Sequence, residues 1–111
     1  MGYLDDSAQD QFLYLTTTGR KTGLRREIEI WFVESNGKLY ILAEHFHRAH
    51  WVRNIMADPG VTVRLAGREL KATARVPDRE ADAGTWDEVQ ELARKKYGWG
   101  DGLPVELEIE E

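Results

Sequence analysis

Asn36-Gly37 stands between two runs of alternating polar and apolar residues, and no other dipeptide in the chain limits the fold as strongly. Before it, Glu27-Ile28-Glu29-Ile30-Trp31-Phe32-Val33 puts Ile28, Ile30 and Phe32 on one face of a strand. After it, Lys38-Leu39-Tyr40-Ile41-Leu42-Ala43 supplies the returning strand. Asn-Gly suits the two-residue turn whose central residues both need positive φ, and that turn twists as the flanking strands do. The alternation recurs in Val61-Thr62-Val63-Arg64-Leu65, in Glu69 to Val76 with Leu70, Ala72, Ala74 and Val76 inward, and in Val105 to Ile109. In that last run Val105, Leu107 and Ile109 face in, while Glu106, Glu108 and Glu110 face water. Phe12 to Thr17 is a short, Thr-rich strand, and Ala66-Gly67 is a further turn.

Two segments change to helical spacing. His50 to Asp58 carries Val52, Ile55 and Met56 on its apolar face and is closed by Pro59. A second helix starts near Thr85, where Thr85-Trp86-Asp87-Glu88 fits a capping box; Trp86, Val89, Ala93 and Tyr97 follow, and Gly98 ends it. Five to six antiparallel strands with two helices predict a mainly β (α+β) chain: a small β-barrel with peripheral helices. A length of 111 residues, 41% hydrophobic and 32% charged, is that of one globular domain, so residues 1–111 are expected to form a single unit.

Charge and composition exclude several classes. The net charge of −5 argues against a nucleic-acid or anionic-membrane partner. No run approaches the roughly 20 apolar residues of a membrane span. Cysteine is absent, so there is no disulfide, thiolate ligand or redox thiol. The opening Met1-Gly2-Tyr3-Leu4-Asp5-Asp6 is acidic and lacks the apolar segment of a signal peptide, which makes the cytoplasm the expected location.

Against that acidic background, Thr16-Thr17-Thr18-Gly19-Arg20-Lys21-Thr22-Gly23-Leu24-Arg25-Arg26 gathers four cations within seven residues. A local basic cluster on an acidic chain suggests one focused anion site. The two glycines bracket Arg20-Lys21 and let the backbone approach a ligand closely. Neighbouring threonines add hydroxyl donors for a phosphate or carboxylate. The same residues also describe a plain hairpin turn with its charges in water, which is the commoner use of such a sequence.

The run Leu15-Thr16-Thr17-Thr18-Gly19-Arg20-Lys21-Thr22-Gly23 is similar to the opening signature of the deazaflavin-dependent nitroreductases and quinone reductases. These belong to the split β-barrel superfamily that also holds the pyridoxamine-phosphate-oxidase-like FMN proteins. Trp51-Val52-Arg53-Asn54, then Pro59 and Val61-Thr62-Val63, resembles the second block of that family, W-x-x-N-x-x-x-x-P-x-V-x-V. The resemblance spans Phe12 to Ile109 and implies a split β-barrel that binds coenzyme F-420. It implies that the loop with Thr18, Gly19, Arg20, Lys21 and Thr22 meets the phosphate and acidic tail. The hairpin strands, ending at Ala43, would line the deazaflavin ring, and the short helix would bring Trp51 and Asn54. Core packing for Trp51 and a bracing role for Asn54 are the readings that need no cofactor.

One stretch departs from the family. Relatives usually carry a small-Ser-Lys-Gly-Gly-like loop, where this chain has Ala43-Glu44-His45-Phe46-His47-Arg48-Ala49-His50. Glu44 would repel an anionic tail if it pointed at it, and Arg48 or the histidines, His45 among them, would replace the missing Lys. FMN, with its single phosphate, is therefore the alternative cofactor. His45, His47 and His50 make up no complete metal motif, because Ala49 stands where the acidic ligand belongs, so no metal is expected. The implied activity is hydride transfer from the reduced cofactor to a small electrophile: a quinone, nitroaromatic or enone. A non-catalytic flavin- or deazaflavin-binding protein is the other class, since no obligatory acid–base pair is visible and no catalytic residue is assigned. Trp31, Tyr40 and Leu42 lie opposite the inward positions of their strands, which predicts a homodimer.

Overall fold

The computed structural model describes residues 12–110. Six strands, β1 (Phe12–Thr18), β2 (Arg25–Ser35), β3 (Lys38–Ala43), β4 (Gly60–Leu65), β5 (Arg68–Arg75) and β6 (Leu103–Ile109), close a barrel in the order β1-β2-β3-β6-β5-β4. Every neighbouring pair is antiparallel. Helix α1 (His50–Ala57) follows β3 after a 3-10 turn at Phe46–Arg48, and α2 (Ala83–Tyr97) lies between β5 and β6. The hairpin turn has Asn36 at φ 55° and Gly37 at φ 77°, the backbone that a type I′ turn demands. This is the split-barrel architecture that the alternation and the family resemblance predict.

The barrel interior is filled by period-2 positions: Leu13 and Leu15, Leu39 and Ile41, Val61, Val63 and Leu65, Ala72 and Ala74, Leu103, Val105 and Leu107, all buried. Val52 and Ile55 of α1 pack into the same core. Burying each of the Leu, Ile and Val side chains stabilises the fold by ~1.5–3 kcal/mol, which offsets much of the cost of ordering the chain. A second, smaller cluster lies on the outer wall, where Val33 and Tyr40 pack under Val89 and Ala93 of α2.

β2 changes partner half-way along. Arg25 to Trp31 pair with β1, and Phe32 to Ser35 pair with β3. β3 pairs with β6 from Leu39 to Ala43, and beyond the Phe32–Ile41 pair Leu42 and Ala43 keep that pairing without a partner on β2. The two strands of the hairpin thus part at their open end, and this parting makes room for a cavity.

Several expectations are corrected. Helix α2 begins at Ala83, and no side chain caps it. The Asp82 N–H donates to the Asp78 carbonyl (2.9 Å), and the Asp82 carbonyl accepts from the Trp86 N–H (3.0 Å), which starts the helix before Thr85. That start buries Trp86 and lets its Nε1–H donate to the Pro77 carbonyl at 2.9 Å. On α1, Met56 is 62% exposed, and the buried face is Val52, Asn54 and Ile55. Tyr40 does not await a partner subunit, because α2 covers it.

The largest correction is Glu106. It is 3% exposed instead of facing water, because both faces of β6 are covered from Leu103 to Leu107. Neighbouring strands supply its partners. Arg75 Nε and Nη2 donate to it at 3.0 and 3.2 Å, the Tyr40 hydroxyl at 3.2 Å, and Lys38 Nζ lies at 3.4 Å. Burial pushes this carboxyl up, but the Arg75 hydrogen bonds and charge, with Lys38 and Tyr40, hold it below the usual carboxylate range. Burial beside that carboxylate pushes the Tyr40 hydroxyl up to about 12. Arg75 also reaches Asp82 at 3.6 Å, so the cluster fastens the start of α2 to the barrel.

Candidate cofactor site

The Gly19–Leu24 loop joins β1 to β2 and closes on itself. The Gly19 N–H donates to the Leu24 carbonyl (2.7 Å), the Gly23 N–H to the Gly19 carbonyl (2.8 Å), and the Leu24 N–H to Thr22 Oγ1 (3.1 Å). Asn54 of α1, 6% exposed, holds the loop from below. Its Oδ1 accepts from the Arg20 backbone N–H (3.1 Å) and from Arg20 Nη1 (2.8 Å). Arg20 Nη1 and Nη2 also lie 3.5 Å from the His50 carbonyl and from His50 Nδ1. The two blocks of the sequence that carry the family resemblance therefore touch, 34 residues apart in the chain.

The remaining predicted residues separate into groups. Lys21 is exposed beside Arg20 and, among the described residues, has no hydrogen-bond or ion-pair partner. Thr18 lies at the end of β1, where Arg25 donates to its hydroxyl (3.3 Å) and to that of Thr62 (2.8 Å). The register pairs Arg25 with Thr18 and Arg26 with the buried Thr17, so the two arginines face opposite sides of β2. Arg48 is exposed on the 3-10 turn. His45 and Glu44 are exposed and 4.0 Å apart. Among the described residues no three His, Cys, Asp or Glu side chains are grouped as metal ligands.

Ala43, His45 and Trp51 line a cavity of about 540 Å³ at the parting of β2 and β3. That volume suits a ring-sized ligand. Its other walls include Glu29, Trp31 and Leu42 on the hairpin strands, and Tyr97 and Trp99, which the sequence alone did not assign to the site. Trp31 and Tyr97 stack with centroids 4.4 Å apart and planes 3° from parallel. The Tyr97 hydroxyl donates to the Phe32 carbonyl (2.7 Å) and accepts from the Phe32 N–H (3.0 Å), which pins the end of α2 where β2 changes partner. Burial pushes the Tyr97 hydroxyl up, with the Phe32 bond opposing. Signals for these residues existed: Tyr97 and Trp99 flank the helix-ending Gly98, and Trp31 lies opposite the inward Ile30 and Phe32.

Helix α1 links the loop and the cavity. His50 and Asn54, four residues apart and so on one face, meet the cationic loop, while Trp51 meets the cavity. A family model described as F420H(2)-dependent quinone reductase matches residues 5–107. The chain belongs to that family. A solved F420-H2 dependent reductase is 27% identical, with a TM-score of 0.66, and the match covers 91% of this chain and 95% of that one. A structure described as a domain-swapped dimer is 28% identical (TM-score 0.64; 91% and 81% covered). A putative pyridoxamine 5'-phosphate oxidase from Listeria innocua is 15% identical with a TM-score of 0.73, covering 97% and 90%, and it shows the shared fold. The family supports an F-420-dependent reductase, and no helix among the described residues is long and apolar enough to cross a membrane.

Proposed function

We propose that this chain binds F-420 across α1 and passes hydride from its reduced form to a small planar electrophile: a quinone, nitroaromatic or enone. The observation that carries the reading is the double use of α1, with Asn54 on the cationic loop and Trp51 in the cavity. A cofactor with an anionic tail and a flat ring needs both. The donor set fits the tail: an exposed ammonium on Lys21 beside the Arg20 guanidinium, with no carboxylate paired to either among the described residues. The cavity fits the ring, with the Trp31–Tyr97 stack and Trp51 as flat apolar walls.

The reduced deazaflavin supplies a hydride when bound. The chain's residues bind and orient. Lys21 and the free N–H groups of the loop hold the tail, and the aromatic walls exclude water and set the ring plane. His45, which lines the cavity, would hand a proton to the reduced acceptor. A homodimer is part of the proposal, supported by the relative described as a domain-swapped dimer and by Trp31, 44% exposed, and Phe12, 38% exposed, paired across β1 and β2. Light scattering at micromolar concentration tests it, with a monomer counting against it.

One observation favours FMN as a second reading. Arg25 is spent on the outer wall and Glu44 stands near the cavity, which leaves cationic surface suited to a single phosphate. Absorbance spectra of the purified protein with each cofactor decide between them. Reduced F-420 that is bound and then reoxidised on adding menadione supports the reductase. Bound cofactor that no acceptor reoxidises makes the protein a carrier.

A further inference from the structure

The two cations of the loop differ in what surrounds them. Arg20 is held at four points, all to Asn54 or His50 on α1, and none of them a carboxylate. Lys21 is exposed and has no partner among the described residues. The backbone divides in the same way. From Gly19 to Leu24, the N–H groups of Gly19, Arg20, Gly23 and Leu24 are all spent inside the loop or on Asn54. Among the described residues those of Lys21 and Thr22 meet no acceptor and are left to donate outward.

Resting on the reading that this loop holds the anionic part of the cofactor, we infer that Arg20 is a positioning residue and that Lys21 is the cation that meets the anion. The Arg20 guanidinium reaches Asn54 Oδ1 at 2.8 Å while its own backbone N–H reaches the same oxygen at 3.1 Å. One buried amide oxygen thus fixes both the main chain and the side chain of Arg20. The planar fork also spans to the first turn of α1, which a lysine's single ammonium cannot reproduce. Arg20 therefore acts through shape: it locks the tip of the loop so that the ammonium of Lys21 and the N–H groups of Lys21 and Thr22 point outward together.

Charge and shape separate cleanly in the test. Arg20→Lys keeps the charge and loses the fork; Lys21→Gln loses the charge and keeps the fork. Hydrogen exchange of the loop amides is measured without cofactor, and F-420 affinity is measured by titration across a range of salt concentrations. Asn54→Ala, with its folding checked by circular dichroism, reports on the same strut from the other side. In Arg20→Lys and Asn54→Ala, loop exchange is expected to accelerate about tenfold and F-420 to bind about tenfold more weakly, with the wild-type salt dependence retained. In Lys21→Gln, loop exchange stays as in the wild type, while affinity falls about tenfold and becomes less sensitive to salt. Wild-type affinity and loop protection in Arg20→Lys would overturn the inference, as would unchanged affinity and salt dependence in Lys21→Gln. If the wild-type protein binds no F-420 at any salt concentration, the cofactor reading fails instead, and the exchange measurement still decides the role of Arg20.

Discussion

Arg75 and Lys38 converge on the buried carboxylate of Glu106, whereas Arg20 and Lys21 meet no carboxylate among the described residues. The residue types are the same, and their surroundings assign them different work. In the first cluster each cation is satisfied within the fold, and the product is a fixed helix: Arg75 bridges Glu106 to Asp82 at the start of α2. In the second, Arg20 is held by Asn54 and His50, and the charge of Lys21 is left for something outside the chain. A cation compensated by a buried acid is evidence about stability. A cation that is oriented but uncompensated is evidence about a ligand.

The largest expected effect comes from disrupting the compensated cluster. Glu106→Gln strands Arg75 and Lys38 beside a neutral amide and should destabilise the fold by about 2–4 kcal/mol in urea melts, the range for breaking a buried pair whose arginine is half exposed. F-420 affinity should fall by no more than about fivefold at temperatures where the variant is folded, because of the cluster's residues only Tyr40 also lines the cavity. The pH dependence follows in sign. The Glu106 carboxyl is held below its usual range in the fold, so its stabilisation is complete above the unfolded carboxylate pKa and is lost as pH falls through the folded one. Glu106→Gln should therefore flatten the acid limb of the stability profile. On the alkaline side Tyr40, pushed up to about 12 from 10.0, keeps its proton in the fold. Its contribution is present below the unfolded value and is lost as pH rises towards the folded one.

Gly102→Ala asks whether the cavity stands apart from the stabilising cluster. A Cβ there would stand 2.9 Å from the Ala43 carbonyl oxygen and 2.8 Å from the Trp99 ring, and the backbone oxygen cannot step aside. Overpacking of this kind costs about 1–3 kcal/mol. Because Ala43 and Trp99 both line the cavity, F-420 binding should weaken together with the melting temperature. Trp31→Ala removes a stacked but 44% exposed ring. It should cost about 1 kcal/mol of stability and about fivefold in cofactor or acceptor affinity, read by titration. The smallest effect belongs to Arg25→Ala. Its hydrogen bonds go to Thr18 and Thr62 on the outer wall, so stability should move by only about 0.5 kcal/mol and F-420 affinity should not change. A clear loss of affinity there would extend the uncompensated site along β2.

The strands were legible because alternation is a local property: Ile28, Ile30, Leu39 and Ile41 announce one face regardless of their partners. Glu106 was not, because period-2 alternation marks it as outward and only the register brings Arg75 and Tyr40 beside it. The same limit hid the cavity. Trp31, Tyr97 and Trp99 become neighbours only when α2 lies back over β2, a long-range event with no local signature. The capping box at Thr85 failed to a stronger local device, the Asp78–Asp82 turn, which starts α2 at Ala83. The contact between Arg20 and Asn54 was foreshadowed in kind, since the resemblance assigns both blocks to one ligand, but not their bond to each other.

If the Gly19–Leu24 loop receives the anionic part of F-420 through Lys21, binding must depend both on the tail and on salt. Calorimetric titration of the purified protein with F-420, with a form lacking the glutamate tail, and with FMN measures both dependences, each from low salt to about 0.5 M. F-420 should bind tightly, and its affinity should fall steeply with salt and with loss of the tail, while FMN binds more weakly. Tight, salt-insensitive FMN binding with no measurable binding of F-420 would show instead that the loop serves a single phosphate and that F-420 is not the cofactor.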